Sequence, residues 1–515
     1  MKVGQPEMPT AYKVPARSGE ALIVPPRAKI PAILAARGEA SWGRAEIMGV
    51  PLGEFRARVR RRAMALVEPQ PGTQSGPVVV MGHQPLFFHP GVWMKFFLLS
   101  RLGADLGGVG LHLIVDSDAS GAVTAQIPAR TDRLIRRTET LLEVPDEVPL
   151  EAHRPPFPEE WEGFCARVRG HLATLALGEV SDRFEAFAEG GTAGRRRGRS
   201  LGEFLAHARR EYEARMAPPT YGELTVSGFS DTPEFRTFVL HLLQDPPAFR
   251  RCYNANLDAH RRIHRLRSAA NPFPNLGEVD GAQEMPVWAL HGGRRTDLYV
   301  ERAGDRVRLR TATEPIAEVP AGPEGIDALK ASGVRLRPKA ITLTMFARLC
   351  LGDLFIHGVG GGRYDRVTDA MIGELFGCAA PPYIVATGTL FLPLLGEEEA
   401  ADDPRALERR LMDLQHNPER YLGTASAAQQ RLIDEKWALI RSVEAMRPGP
   451  ERRAATHRIR EVNTLLSAGL VDQMARIREQ LTGLSQSSSA REAAEDRGYP
   501  FFLFDPAAVD ALAGA

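Results

Sequence analysis

The stretch VVVMGHQPLFFHPGVWMK, residues 78–95, decides the fold of this chain. Its first four residues form a compact, β-branched apolar run, which is typical of a buried strand. Residues 82–91 form a loop that leads into a helix predicted over residues 92–102, and residues 111–115 (LHLIV) predict a second buried strand. Strand, loop, helix and strand within about forty residues make a βαβ unit, so the sequence predicts the α/β class.

Composition and charge exclude several classes of protein. The chain has 515 residues with 65 Lys+Arg against 64 Asp+Glu, which gives a formal net charge of +1. Proteins that bind nucleic acids usually carry an excess of basic residues, and this chain has no such excess. The most apolar stretch, residues 86–99, contains His89, Pro90 and Lys95 and is shorter than the ~20 residues that a membrane helix needs. Because residues 1–10 contain no apolar core typical of a signal peptide, we expect a cytoplasmic protein with no nucleic-acid or membrane partner.

The four cysteines lie far apart in the sequence and form no CxxC pair: Cys165, Cys252, Cys350 and Cys378. This spacing favours neither a disulfide framework nor a cysteine zinc site. Each cysteine is therefore expected to be a small buried side chain, and no metal site is predicted.

Changes in composition predict six segments along the chain. Residues 151–270 are helical in pattern, although the run RRRGR at 195–199, beside Gly190 and Gly191, is expected to be a loop. Alternation over residues 298–309 predicts a β-hairpin, and apolar residues at three- and four-residue spacing past residue 402 predict two long helices in an antiparallel coiled-coil hairpin. The segments are 1–76 (extended, packing on the core), 77–150 (first half of the core), 151–270 (helical insertion), 271–400 (β-hairpin and second half of the core), 401–486 (coiled-coil hairpin) and 487–515 (tail docking on the core).

The loop after the first predicted strand is the densest group of polar residues with chemical potential. It runs into a helix N-terminus, where free backbone N–H groups and the helix dipole favour an anion. Its candidate residues are Gly82, His83, Gln84, His89, Gly91 and Lys95. The order His89-Pro90-Gly91 resembles the HxGH signature of nucleotidyl transferases and class I aminoacyl-tRNA synthetases, with Val92 in place of the last histidine. In the alternative interpretation, the two histidines cap the strand and helix ends.

Asp116 and Asp118 directly follow the second predicted strand, so we expect both at the same carboxyl edge of the sheet. They would hold a magnesium ion, a sugar hydroxyl or an amine, or they would cap the following turn, which is ordinary chemistry for Asp-Ser-Asp.

A second constellation follows a short apolar run that ends in His357. The sequence predicts a glycine loop and then a helix over residues 365–376. Glycines allow close approach of a ligand, and Arg363 would bind phosphate or carboxylate, whereas the alternative is a glycine turn without a ligand. The candidate ligand-binding residues are His357, Gly358, Gly360, Gly361, Gly362, Arg363, Tyr364 and Asp365. Residues 271–275, Glu284 and Trp288 are expected to edge the same cleft.

At these blocks the chain resembles the bacillithiol-pathway cysteine-adding enzyme family (BshC). The Gly82-His83-Gln84-Pro85 loop and the Lys95 helix are similar to the GQQ segment of that family. The hairpin at 298–309, residues 337–339, the glycine loop and the terminal block at 497–501 follow in the same order. The resemblance implies a Rossmann-like nucleotidyl-transferase-type core, a helical insertion and a coiled coil that forms a homodimer. It also implies a ligase that joins the carboxylate of cysteine to the amine of glucosaminyl-malate, an amino-sugar conjugate.

The leading hypothesis is therefore an enzyme that condenses a carboxylate with the amine of a small molecule. The predicted catalytic residues are His83, His89, Lys95 and Asp118. The histidines and Gln84 would stabilise negative charge, Lys95 would add a positive charge, and an aspartate would orient the amine. Two alternatives stay open. One is nucleotidyl transfer to a small phosphorylated or sugar acceptor, with ATP and magnesium; the other is a small-molecule-binding or scaffolding dimer without catalysis.

Overall fold

The computed structural model describes residues 12–36, 42–68, 76–216, 218–266, 273–395, 404–423, 425–446 and 449–514. These residues form two compact units. The first unit comprises the described residues within 1–127, 137–392 and 497–515, and the second comprises those within 128–136 and 393–496.

The secondary structure alternates helices and strands through most of the first unit. The strands are β1 (Glu20–Val24), β2 (Glu46–Ile47), β3 (Val50–Pro51), β4 (Val78–His83), β5 (Val109–Ile114), β6 (Ala122–Arg130), β7 (Leu134–Glu143), β8 (Gly222–Thr225), β9 (Glu278–Val279), β10 (Ala282–His291), β11 (Arg294–Ala303), β12 (Arg306–Arg310), β13 (Pro315–Pro320), β14 (Arg335–Pro338), β15 (Leu354–His357) and β16 (Tyr383–Thr389). The helices are α1 (Ile30–Ala35), α2 (Leu52–Leu66), α3 (Pro90–Asp105), α4 (Pro158–Ala173), α5 (Gly178–Arg197), α6 (Leu201–Met216), α7 (Val226–Ser230), α8 (Pro233–Leu242), α9 (Pro246–His264), α10 (Gly325–Ala331), α11 (Ala340–Phe346), α12 (Val359–Phe376), α13 (Pro404–His416), α14 (Ala427–Ala445), α15 (Pro450–Ser467), α16 (Val471–Ala494) and α17 (Pro506–Ala513).

The central sheet of the first unit has the strand order β1-β16-β15-β4-β5-β8. Strands β16, β15, β4, β5 and β8 run parallel, whereas β1 pairs antiparallel with β16 at the edge. The predicted βαβ unit is confirmed as β4, α3 and β5, and the chain has the predicted α/β class. From β4 the chain adds β5 and β8 on one side and later β15 and β16 on the other, so the direction of winding reverses between β4 and β15.

Burial explains why residues 78–81 form a central strand. Val79, Val80 and Met81 are completely buried, and every residue of β5 is buried as well. Continuous apolar runs are typical of parallel strands that are covered on both faces, because neither side of the strand faces water.

A second, antiparallel sheet has the order β13-β12-β11-β10-β14, with β9 also paired to β10. The predicted hairpin is confirmed as β11 and β12, which pair antiparallel around Gly304. Gly304 has φ +64°, a left-handed conformation that glycine adopts without strain. The alternating residues Leu298, Val300, Val307 and Leu309 are all completely buried.

The loop predicted at residues 195–199 is wrong over most of its length, because α5 continues to Arg197. The glycines that suggested a loop instead allow close packing. A Cβ on Gly191 would overlap the ring of Trp161, and one on Gly194 would lie 2.7 Å from the backbone nitrogen of Ala208 on α6. The gain from close helix packing outweighs the low helix propensity of glycine.

We expect Gly191→Ala to destabilise the first unit by about 1–3 kcal/mol, the usual cost of overpacking a filled core. Gly170→Ala on α4 is the matched control, because a Cβ there would meet nothing within 4 Å. That control should gain up to about 1 kcal/mol from helix propensity. Urea unfolding of both variants measures the difference, and equal stabilities would contradict the packing role of Gly191.

The chain terminus packs against the helix that follows β4. The backbone N–H of Phe501 donates to the carbonyl oxygen of Phe88 at 2.8 Å. The ring centroid of Phe501 lies 5.0 Å from that of Phe88 and 5.3 Å from that of Trp93. The apolar residues 501–504, which precede α17, are therefore buried in the first unit.

The second unit contains α13, α14, α15 and α16. Helix α14 packs against α15, and α13 packs against α15 and α16. Arg458 Nε donates to Glu435 Oε1 at 2.7 Å between α14 and α15. Among the described residues, the two predicted long helices are four, because the chain is also interrupted between α13 and α14 and forms a 3-10 turn at Ala468–Leu470 between α15 and α16. The boundary predicted at residue 487 falls inside α16. The coiled-coil hairpin and the homodimer stay predictions.

All four cysteines are buried and unpaired. Within the described part of the chain, none of the helices combines the length and the apolar composition that crossing a bilayer requires.

Candidate functional site

A cavity of about 390 Å³ opens at the carboxyl edge of the central sheet, beside the neighbouring strands β4 and β15. In open parallel sheets, ligands bind in the crevice where the winding reverses, and it reverses between these two strands. Both predicted constellations contribute to this one cavity. The predicted residues that line it are Gly82, His83, His89, Gly91, Lys95, His357, Gly358, Gly360 and Gly361.

Two helix N-termini lie at this cavity. Helix α3 begins at Pro90, and its N-cap residue His89 accepts the backbone N–H of Gly91 on Nδ1 at 3.1 Å. Helix α12 begins at Val359 with Gly358 as its N-cap. The free N–H groups and the dipoles of both helices favour a negative charge between them.

Lys95 carries a positive charge in the lining of the cavity. It is 3% exposed, and its Nζ lies 3.7 Å from where a Cβ of Gly358 would be. Among the described residues, its ammonium has no hydrogen-bond or ion-pair partner, and the lining contains no carboxylate. Burial lowers the pKa of Lys95 from 10.5 to about 8, so the group is still charged at pH 7.

Arg497 adds a second cation that sequence analysis missed. Its Nη2 donates to the carbonyl oxygen of Gly388 at 2.7 Å, and its Nε is buried without a partner in the described structure. The sequence does contain a signal for this residue, because Arg497 directly precedes an apolar run that begins at residue 499 and is expected to be buried.

His83 faces the same cavity in its neutral form. Burial, followed by the charge of Lys95, lowers the pKa of His83 to about 3. Its Nδ1 lies 2.9 Å from the carbonyl oxygen of Gln84, which can only accept, so Nδ1 carries the proton. The remaining Nε2 is then an acceptor, and His83 suits a ligand hydroxyl or N–H better than the phosphate that the sequence predicts.

The glycine loop predicted before residue 365 is wrong, because α12 starts at Val359 and the glycines form its first turn. A Cβ on Gly360 would meet nothing within 4 Å, whereas one on Gly361 would lie 2.6 Å from His357 Nδ1. A Cβ on Gly362 would overlap Val385, so this glycine allows the helix to pack on β16. Gly362 therefore serves packing rather than ligand binding.

His357 and Asp365 form a buried pair next to the cavity. His357 Nε2 lies 2.7 Å from Asp365 Oδ2, and Arg348 Nη1 donates to the same oxygen at 2.5 Å. Arg348 Nη2 donates to Asp369 Oδ1 at 2.6 Å. Sequence analysis missed Arg348, although an arginine inside the apolar run MFARLCL (residues 345–351) signals a buried charge that needs a carboxylate.

Three predicted ligand-binding residues have other roles. Arg363 Nη2 donates to the carbonyl oxygen of Tyr12 at 3.1 Å, and the ring of Tyr364 packs against Phe273 with centroids 5.7 Å apart. The carboxylate of Asp116 accepts the backbone N–H of Ser227 at 2.9 Å and the Ser227 hydroxyl, so it caps α7. Asp116 therefore caps a helix that lies far away in the chain, and not the turn directly after it that the sequence left as the alternative.

A second cavity of about 700 Å³ adjoins the first and shares Gly82, His83 and His357 with it. Asp118 lines this second cavity, where it accepts hydrogen bonds from Gln84 and Arg295. Sequence analysis missed Arg295, whose position on β11 brings it to this edge only through the fold.

A lysine and an indole ring organise the other side of the second cavity. Lys339 Nζ donates to Glu284 Oε1 at 2.9 Å and to Asp297 Oδ1 at 2.6 Å, and it lies 4.2 Å from the ring centroid of Trp288. Glu284 and Trp288 thus edge the cleft as predicted, together with residues 273–275, whereas residues 271 and 272 lie outside the described residues.

The predicted cofactors include magnesium, which carboxylate ligands would hold. The described residues contain no group of three or more His, Cys, Asp or Glu side chains placed to bind a metal ion. We therefore assign no residues of this chain to magnesium.

No protein-family model and no curated protein matches the sequence.

Proposed function

We propose that this chain is a ligase-type enzyme that joins a carboxylate to the amine of a small molecule, with the anionic end of one substrate bound at Lys95. The observation that carries the proposal is the buried ammonium of Lys95, which has no partner among the described residues and lines a cavity together with the first turns of α3 and α12. Burying an uncompensated charge costs several kcal/mol, so a bound anion is the natural partner.

The strand order supports a Rossmann-like core for the proposed enzyme. Numbered by their appearance in the chain, the parallel strands follow the order 3-2-1-4-5, which is that of doubly wound dinucleotide-type folds. Under this proposal, a phosphate or an activated carboxylate occupies the crevice between β4 and β15.

The adjoining cavity supports a site for the amine-bearing substrate. Its lining contains the carboxylates of Asp118, Glu284 and Asp297. Asp118 and Glu284 are held by Arg295 and Lys339, which fixes their orientation without removing their ability to accept a further hydrogen bond. An ammonium or a sugar hydroxyl fits such acceptors. The resemblance to the cysteine-adding family makes cysteine and glucosaminyl-malate the first pair to test.

A thermal-denaturation screen with sulfate, phosphate, citrate, ATP, cysteine and glucosaminyl-malate tests this function. An anion present at 100 times its Kd should stabilise the protein by about 2.7 kcal/mol, which is readily visible as a higher Tm. Incubation of ATP with both substrates, followed by mass spectrometry for the amide, then tests catalysis. The absence of any shift with every anion would contradict the site, and binding without turnover would favour the non-catalytic alternative.

A second candidate function is nucleotidyl transfer, which the position of His89 favours. His89 is the N-cap of α3 and lines the same cavity as Lys95, as expected for a residue that contacts phosphate groups. Release of pyrophosphate from ATP, with nucleotide transfer to a phosphorylated or sugar acceptor instead of amide formation, would distinguish it from the ligase.

A further inference from the structure

His357 lies at the junction of the two cavities and lines both of them. Its ring nitrogens have different surroundings. Nε2 lies 2.7 Å from Asp365 Oδ2, and because an ionised carboxylate only accepts hydrogen bonds, Nε2 carries the proton. Nδ1 faces Gly361, which lines the cavity of about 390 Å³ that contains Lys95. Among the described residues, Nδ1 has no hydrogen-bond partner.

The carboxylate that holds His357 is itself fixed. Asp365 is 3% exposed, and Arg348, which is completely buried, donates to it at 2.5 Å. Although burial alone raises the pKa of Asp365, the charge of Arg348 and then of His357 lowers it to about 2. Asp365 therefore stays ionised near neutral pH, and Nε2 keeps its proton. Any proton exchanged with a ligand must pass through Nδ1.

We propose that Nδ1 of His357 is the proton-transfer group of this site, and that Asp365 and Arg348 are positioning residues that hold it between the two cavities. The proposal rests on the proposed function, whose chemistry requires such a group. When the amine attacks the carboxyl carbon of an acyl phosphate, the C–N bond forms and the C–O bond to the phosphate breaks with its electron pair. The amine nitrogen then gives up one proton, which Nδ1 accepts and passes to the departing phosphate.

Other charged or titratable groups surround His357 and enter its electrostatics. They are His83 on β4, His89 and Lys95 on α3, Asp365 on α12, Tyr383 on β16 and Arg348 in the π-helical continuation of α11 at Ala347–Leu351. His83 is neutral near pH 7, whereas Lys95 loses its charge near pH 8, so the comparison with and without sulfate is made below about pH 7, where both groups keep a constant charge.

Histidine-ring ¹⁵N NMR of the full chain tests the proposal, with the His357 signals assigned by their loss in His357→Gln. Below about pH 7, where Lys95 stays charged, we expect Nε2 to stay protonated and Nδ1 to be the ring nitrogen that exchanges the proton. Sulfate, which keeps its charge over this range, should raise the pH at which Nδ1 protonates by about one unit, because a nearby anion favours the imidazolium. A ring whose Nε2 loses its proton, or whose Nδ1 does not titrate, would overturn the proposal.

Gly361→Ala tests the role of Nδ1, because a Cβ at this position would lie 2.6 Å from Nδ1 and would crowd the space that a ligand at Nδ1 needs. We expect this variant to lose the response of His357 to sulfate, and Gly373→Ala on the same helix, where a Cβ meets nothing within 4 Å, to keep it. If sulfate binds but leaves Nδ1 unaffected in the unmodified chain, the His357 proposal fails alone. If sulfate does not bind, the proposed function fails, and the tautomer and titration of His357 still decide this proposal.

Discussion

Replacing Lys95 by methionine should make the protein more stable and abolish anion binding. Burial lowers the pKa of Lys95 from 10.5 to about 8, so at pH 7 the folded chain holds a charge that the unfolded chain solvates better. Each pKa unit corresponds to about 1.4 kcal/mol, so Lys95→Met should raise the free energy of unfolding by about 3 kcal/mol. Methionine keeps the unbranched stem and fills the same space with an apolar side chain.

The stability that Lys95→Met gains should decrease as the pH rises, and this direction can be measured. The folded-state pKa lies below the unfolded value, so the cost of the buried charge is fully present below about pH 8 and disappears as the pH rises towards 10.5. Guanidinium unfolding of the unmodified chain and of Lys95→Met should therefore differ most at pH 7 and converge near pH 10. Lys330→Met on α10, which replaces an exposed lysine, is the control and should change neither stability nor sulfate binding.

A Lys95→Met variant that is less stable than the unmodified chain would contradict the account of the site. Such a result would mean that other groups of the protein stabilise the ammonium of Lys95 when no ligand is bound. Increased stability with retained sulfate binding would instead place the anion elsewhere. The expected pair of results, a gain in stability and a loss of binding, is typical of residues retained for function rather than for folding.

The sequence was sufficient to predict β4 and β5 of the central sheet, whereas β8 lies within residues 151–270, which the sequence wrongly predicts to be helical throughout. Residues 78–81 and 111–115 are apolar, β-branched runs of strand length, and such runs have few alternatives to burial in a parallel sheet. The hairpin around Gly304 also follows local rules. Prediction failed where tertiary packing reversed a local preference. Gly190 and Gly191 suggested a loop, but the missing side chains of these two residues and of Gly194 allow α5 to pack against α6 and Trp161.

The candidate site was predicted in part, for a similar reason. Residues that follow a strand on the same carboxyl edge, such as His83 and His357, could be placed from the strand pattern alone. Arg348, Arg295 and Arg497 could not, because each reaches the site through contacts between residues more than ten positions apart in the chain. Asp116 and Asp118 show most clearly how little the strand pattern says about the contacts of a single side chain. They are two residues apart, yet one caps α7 and the other lines the second cavity.

Asp116 should give the folded protein a distinctive dependence on pH. It is 1% exposed, and burial, followed by the charge of Glu151, raises its pKa to about 7. The unfolded chain loses this proton near pH 4, whereas the folded chain keeps it until about pH 7. The unfolded state therefore binds fewer protons over this interval, and the contribution of Asp116 to stability falls as the pH rises. The loss amounts to about 4 kcal/mol between pH 4 and 7.

We expect Asp116→Asn to remove this dependence while keeping the cap on α7. The amide oxygen can accept the backbone N–H of Ser227, and the amide nitrogen can donate to its hydroxyl, so both hydrogen bonds of the carboxylate have replacements. The variant should gain stability relative to the unmodified chain as the pH rises from about 4 to 7, measured by urea unfolding at each pH. Asp327→Asn, at an exposed position of α10, should run parallel to the unmodified chain. Parallel curves for Asp116→Asn as well would show that Asp116 is ionised in the folded protein. The desolvation of its carboxylate would then be offset by its hydrogen bonds to Ser227.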